Sequence, residues 1–261
     1  MADTTISTTL PLAQGAKPTL IADNVHVKYK TYGVRRRPEG AKAPGFAQKL
    51  AQIGAVDVVH AVRGVSFVAN HGESIGLIGH NGSGKSTLMK TMAGLIAPAE
   101  GAIFTDGTAS LLGVGGALNK NLSGERNISI GLLALGLTPK QVEDATPGIV
   151  EFANIGNFLQ LPMNAYSSGM AARLRFAIST AAQPDILLID EALATGDRSF
   201  RERAQRRIEE IKETAGTIFL VSHSMNTIRE TCQRGLWLHR GQLRMDGPID
   251  EVVEAYESAL G

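Results

Sequence analysis

The chain predicts an α/β fold with a mainly parallel sheet, interrupted by an inserted helical subdomain. Three observations lead there. Short apolar runs at Ser74–Ile78, Ile186–Ile189, Thr217–Ser222 and Leu236–His239 read as buried strands. Helix-forming stretches follow the first two of them, Lys85–Leu95 and Arg201–Lys212, which is the strand–helix–strand alternation of a parallel sheet. Between residues 113 and 183 the strand signals stop, and helical stretches alternate with Gly, Pro and Asn.

The elements follow in order. Residues 1–18, rich in Thr, Ala and Pro and without periodicity, predict a flexible N-terminal tail. Ile21–Tyr29 alternates as a first strand. Gly33–Ala55 carries Pro38, Pro44 and four glycines and reads as a long loop or insertion, with a helical turn near Phe46–Gln52. Val58–Val68 is a second strand, and Ser74–Ile78 runs straight into a glycine-rich loop. Pro98 lies just past the helix over Lys85–Leu95. The α/β core thus comprises Ile21–Leu112 and Asp185–Gly247, within one domain spanning residues 19–247. Residues 248–261 are expected to form a C-terminal helix with Pro248 at its first position, with no carbohydrate-binding module expected after it.

Composition narrows the function classes. Of 261 residues, 43% are hydrophobic and 20% charged, as in ordinary globular domains. A formal net charge of +1 leaves no global footprint for nucleic acid. The single cysteine, Cys232, excludes an intramolecular disulfide and suits a reducing compartment. Met1–Leu20 shows no basic start followed by an apolar block, so no secretory leader is expected. Apolar runs such as Gly131–Leu137 are far shorter than the ~18 residues a membrane span needs.

Four motifs carry the chemistry. Gly79-His80-Asn81-Gly82-Ser83-Gly84-Lys85-Ser86-Thr87 satisfies the phosphate-loop pattern G-x-x-x-x-G-K-[ST]. Glycines let backbone N–H groups converge on phosphate oxygens, and the following helix presents its positive end. Lys85 is placed to reach β/γ-phosphates, and the Ser86 hydroxyl to coordinate Mg²⁺. Asp190 and Glu191 end the apolar strand Ile186–Ile189, where carboxylates have no packing role. Asp190 suits a Mg²⁺ ligand, and Glu191 a general base for an attacking water. His223 ends the strand at Thr217–Val221 and, in this order, suits a γ-phosphate sensor. Tyr166-Ser167-Ser168-Gly169-Met170 is weak alone, because a serine-capped helix start explains it equally well. Its position between the phosphate-handling motifs makes it a second anion site, one that acts on another subunit's nucleotide if hydrolysis needs a dimer.

These motifs, over roughly Ile21–Tyr256, resemble the ATP-binding subunit of ABC transporters. The resemblance implies the P-loop NTPase (RecA-like) core with a helical subdomain, ATP and Mg²⁺ as cofactors, and ATP hydrolysis coupled to transport. It identifies Gly196-Asp197 with the D-loop and Tyr29 with the adenine-stacking aromatic. It places Ser167 and Gly169 on the γ-phosphate of the opposite protomer. It also implies a homodimer docked on an integral-membrane permease at the cytoplasmic face of the inner membrane. The form Tyr-Ser-Ser-Gly-Met-x-x-Arg-Leu-x-Phe-Ala from Tyr166 to Ala177 is similar to exporters of lipid-linked polysaccharides. The insertion after Tyr29 and the run from Glu191 to Phe200 share that similarity. O-antigen, capsule, teichoic acid and cell-wall galactan are the polymers of this group.

The chain departs from the family at one point. Most such subunits place a Mg²⁺-contacting glutamine near the position of Val114, and no glutamine lies between Gly107 and Lys140. The segment Leu111–Leu118 is then expected to work through its backbone. Arg35-Arg36-Arg37 reads either as a solvated face or as a contact for anionic lipid headgroups. An importer or drug-exporter subunit, and a non-transport ATPase of the same type, remain alternative readings. The second lacks support, because neither paired cassettes nor a long coiled coil is present.

Overall fold

A computed structural model describes residues 17–32, 56–112, 118–182, 184–190, 198–222 and 224–260. The N-terminal tail up to residue 16, the insertion with Arg35–Arg37, and Val114 lie outside the described residues. So do Glu191, Asp197 and His223.

Two sheets form the core. The strands β1 (Pro18–Tyr32), β2 (Val56–Asn70) and β4 (Glu100–Thr105) make an antiparallel sheet in the order β2-β1-β4. The larger sheet contains β3 (Ser74–Ile78), β5 (Ala109–Leu111), β6 (Ile186–Asp190), β7 (Thr217–Val221), β8 (Arg234–His239) and β9 (Gln242–Pro248). Its order is β5-β6-β7-β3-β8-β9, parallel except for the β8–β9 pair. The expectation of a mainly parallel sheet therefore holds for the larger sheet alone. β1 and β2 belong to a separate antiparallel one, and the two differ in which faces are covered.

The central strands are apolar along their whole length because both faces are covered. Ile75, Leu77, Leu188 and Phe219 enter one core with α1 (Lys85–Met92) and the antiparallel sheet. Their neighbours Ile78, Leu187, Ile189 and Leu220 face the opposite side. There they meet α5 (Arg198–Thr214), α6 (Met225–Thr231) and α7 (Ile249–Ser258). Each strand thus alternates between two cores, as its period of two requires.

A third core belongs to the helical subdomain. It packs α2 (Gly124–Ala134), α3 (Pro139–Ala153) and α4 (Ser168–Ser179) around Ile128, Leu132, Ile149 and Leu174. The caps are local and chemical. Thr138 and Gln141 close a capping box with Pro139 in the first turn, and Asn154 ends α3 in the left-handed conformation. Asn127, 2% exposed, ties the entry to α2. Its amide donates to the carbonyls of Asn119 (3.0 Å), Leu122 (3.2 Å) and Ser123 (2.9 Å), and its oxygen accepts the Asn119 N–H at 2.8 Å. Asn127→Ala is expected to strand these groups and cost about 3 kcal/mol of stability. The urea midpoint of purified protein checks this.

Several boundaries differ from the sequence expectation. The first two strands are longer, beginning at Pro18 and Val56, because mutual pairing extends them beyond their alternating cores. α1 stops at Met92 rather than Leu95, where Gly94 takes a φ of 70°. Pro248 is the N-cap of α7 and the last residue of β9, not the first helical residue, since its ψ of 141° is extended.

Candidate functional site

The phosphate loop joins β3 to α1 at the C-terminal edge of the larger sheet, beside the ends of β6 and β7. Ligand sites of open α/β sheets form at this edge, where neighbouring strands diverge. Three of its glycines have φ of 148° (Gly79), 79° (Gly82) and 107° (Gly84), values an L side chain rarely adopts. A methyl at Gly79 would stand 2.2 Å from the Leu238 carbonyl, and one at Gly84 2.6 Å from that of Ala61. Two backbone bonds fix the loop from behind: Gly241 N–H to Ser83 O (2.8 Å) and Arg63 N–H to Gly241 O (2.7 Å).

Lys85 donates from Nζ to the carbonyls of Gly79 and, at 3.0 Å, His80, so the loop curls over its ammonium. Burial pushes the Lys85 pKa down from the ordinary lysine value, and the Asp190 carboxylate opposes that shift. Ser86 Oγ donates to Asp190 Oδ2 at 3.0 Å across 104 positions of sequence. The sheet thus brings the two expected metal ligands together. Among the described residues no group of three or more His, Cys, Asp or Glu could hold a metal. Two hard oxygens with room for phosphate and water suit Mg²⁺, which keeps much of its own shell.

A cavity of about 610 Å³ opens over the loop, lined by Asn81, Gly82, Gly84, Lys85, Ser86, Thr87 and Asp190. Tyr29 closes its far end, with its hydroxyl 3.4 Å from Thr87 Oγ1. Val59, directly across the strand pair from Tyr29, adds a second apolar surface suited to a flat ring. Gly79 and Lys85 also line a second cavity of about 230 Å³ on the other side of the loop. Ser222 reaches that cavity too, so the residue before His223 shares it with Lys85.

His60, Arg63 and Arg240 line the main cavity as well and are not identified by the sequence motifs. The only signal for His60 and Val59 is the register of β1 on β2, and Arg240 sits in the β8–β9 turn with φ 49°. His60 stacks on His26 with ring centroids 5.1 Å apart. Partial burial, then the positive charges of Lys28, His26 and Arg63, hold its pKa below the ordinary histidine value. Near neutral pH the cavity's positive charge therefore comes from Lys85, Arg63 and Arg240.

Ser167 and Gly169 do not line this cavity. Ser167 is the N-cap of α4, its Oγ accepting the Met170 N–H at 3.2 Å. Gly169 is not demanded by packing within the chain, since an added methyl would meet nothing closer than 3.8 Å. Tyr166 is anchored instead, donating to the Phe158 carbonyl at 2.7 Å. Among the described residues no helix is long and apolar enough to cross a membrane.

Comparison with known proteins places this geometry in context. The family described as "ABC transporter" matches residues 62–194. The teichoic acids export ATP-binding protein TagH of Staphylococcus saprophyticus is 43% identical over 201 residues, covering 77% of this chain and 76% of the relative. Its counterpart from Shouchella clausii is 40% identical over 243 residues, 93% of this chain and 66% of the relative. The Bacillus cereus protein of that name is 45% identical over 201 residues, 77% of this chain. The chain spans only 37% of the length of that Bacillus cereus relative. Among solved structures, an ATP-binding subunit of an ABC transporter superposes with a TM-score of 0.64 at 22% identity, covering 92% of this chain and 93% of that one. A dimeric ATP-binding cassette bound to ADP and Pi gives 0.62 at 19% identity, covering 88% and 98%. These two likenesses show the fold.

Proposed function

The chain belongs to the ABC transporter family, and from that premise we propose that it is the ATP-hydrolysing subunit of a polysaccharide exporter. One observation carries the ATPase reading. A single cavity unites the phosphate loop, the Ser86–Asp190 pair and the neighbouring Tyr29 and Val59 side chains. The export reading rests on relatives 40–45% identical whose names specify teichoic acids export. The polymer is a lipid-linked cell-wall glycan. The chain works as a homodimer docked on a membrane permease at the cytoplasmic face.

In this reading the adenine stacks on Tyr29 with Val59 beside it, and the triphosphate lies along the loop. Lys85 stabilises charge gathering on the β/γ-phosphates. Ser86 and Asp190 would hold Mg²⁺, which would supply further neutralisation of the phosphate oxygens. Glu191 takes a proton from the attacking water as its oxygen bonds the γ-phosphorus. The bond to the β–γ bridging oxygen breaks, and ADP keeps that electron pair. His223 and Asp197 complete the γ-phosphate surroundings, together with Ser167 and Gly169 of a second copy.

The permease is proposed to dock on α2. Ile130 (52% exposed) and Leu133 (49% exposed) stand three residues apart on that helix, so they share one face. Changing both to aspartate is expected to leave the ATPase rate of the isolated chain unchanged. Binding to the permease should weaken at least about tenfold, since buried apolar anchors dominate such contacts. Co-purification of the two proteins checks it.

Depleting the protein in its host and assaying lipid-linked glycans by membrane leaflet tests the whole reading. A finished polymer accumulating on the cytoplasmic side supports export and identifies the substrate. Unchanged glycans with loss of a small-molecule flux would keep the ATPase and replace the exporter by another transporter class.

A further inference from the structure

A third cavity, about 500 Å³, lies away from the nucleotide site, between α3, the end of α4 and α5. Its floor is apolar and rigid. Ile149 is 5% exposed, and the Phe152 ring is fixed by Phe176 and Phe200, with centroids 5.9 and 5.6 Å away. Gly148 opens the α3 wall, because an added methyl there would meet no heavy atom within 4 Å. Opposite stand Arg203, Arg206 and Arg207, with Glu210 the one acid in the lining.

The arginines are not equivalent. Arg207 is already engaged, donating to the Glu210 carboxylate at 3.1 Å and the Thr180 carbonyl at 2.9 Å. Among the described residues Arg206 makes a long Nε contact of 3.4 Å to the Glu202 carbonyl. Arg203 lies 5.9 Å from the Phe152 ring centroid, and its Nε is buried with no hydrogen-bond partner among the described residues. A buried guanidinium N–H without an acceptor forfeits the hydrogen bond it made to water. A carboxylate or phosphate oxygen entering the slot would relieve that cost, matched by guanidinium geometry.

The surroundings select the size of the anion. α3 exposes Glu143, Asp144 and Glu151, and α5 exposes Glu202 and Glu209, so an extended polyanion would be repelled. We propose that the slot binds a small anionic amphiphile. One phosphate or carboxylate head sits on Arg203 and Arg206, and a short apolar body lies on Ile149 and Phe152 over Gly148. The volume falls within the ~300–1,000 Å³ usual for small-molecule sites. The site is independent of the nucleotide reading, since it shares no lining residue with the phosphate-loop cavity.

Calorimetric titration of the full chain with octyl phosphate tests this, with a non-hydrolysable ATP analogue occupying the first cavity. One saturable site is expected. Arg203→Gln with Arg206→Gln should weaken it about tenfold or more. Gly148→Leu should fill the slot and abolish binding. That change suits an exposed helical position, so folding should survive it. Both variants should melt no lower than wild type and keep its nucleotide affinity. Inorganic phosphate alone should bind at least about tenfold more weakly, because the apolar body contributes. Vesicles containing phosphatidylglycerol separate the sources: binding sensitive to the same variants identifies a membrane lipid, and binding of octyl phosphate alone identifies a soluble amphiphile. Absence of saturable binding, displacement by the nucleotide, or equal binding by all three proteins overturns the proposal.

Discussion

Replacing Lys85 with alanine is expected to lower kcat/KM for ATP by about a thousandfold, close to 4 kcal/mol of transition-state stabilisation. Alanine deletes the Lys85 bonds to the Gly79 and His80 carbonyls, but the backbone closure of the loop remains. Gly79 and Gly84 approach the Leu238 and Ala61 carbonyls too closely for a side chain, and the closure rests on the Gly241–Ser83 and Arg63–Gly241 backbone bonds. The loss therefore falls on the chemistry. Lys85 is half-buried beside Asp190, and a charge in that setting acts more strongly than one in open water. Arg63 and Arg240 line the same cavity but belong to β2 and the β8–β9 turn, so they do not replace a cation that rises from the loop itself. Steady-state hydrolysis with a thermal melt as control decides it. A rate within tenfold of wild type would remove Lys85 from the site.

The phosphate loop is legible in sequence because its chemistry is local. Nine consecutive residues supply the turn, the amides and the cation, and the strand before them can run only into that turn. Asp190 is legible for a related reason: a carboxylate ending an otherwise buried strand needs an explanation beyond packing. The opposite wall is a different matter. Val59, His60 and Arg63 face the nucleotide cavity only because β2 pairs with β1 in one register, setting Val59 against Tyr29. A shift of one residue would set a different side chain against Tyr29 and exchange the faces of the strand. Nothing in the composition of Val58–Val68 specifies that pairing.

Sheet membership is equally non-local. β4 alternates little and is half-exposed, so Glu100–Thr105 gives no strand signal, yet it completes the antiparallel sheet. The arginines of α5 show the limit from the other side. Arg203, Arg206 and Arg207 at helical spacing read as a solvated face until Phe152 and Gly148 are brought opposite them by α3. Spacing gives the stripe, and only packing turns the stripe into a slot.

Replacing Glu191 with glutamine is expected to leave ATP binding intact, cut turnover about 10²- to 10⁴-fold, and yield an ATP-dependent dimer. Glutamine keeps the volume of the side chain and loses its basicity, so the phosphate sites remain while proton removal fails. The dimer follows from where the signature stands. Ser167 and Gly169 begin α4, whose first N–H groups and positive end favour an anion, yet they do not line the cavity of their own chain. Gly169 leaves room that none of the described residues fills, which fits the approach of a second copy's γ-phosphate. Adding Gly169→Asp to the glutamine variant sets a carboxylate against that phosphate, and the ATP-loaded protein should return to a monomer. Size-exclusion chromatography with and without ATP, beside a hydrolysis assay, reads both effects. Wild-type turnover in the glutamine variant would exclude Glu191 as the base. Loss of turnover without dimerisation would instead keep the base and refute the face-to-face pair, because a closed ATP sandwich cannot reopen without hydrolysis.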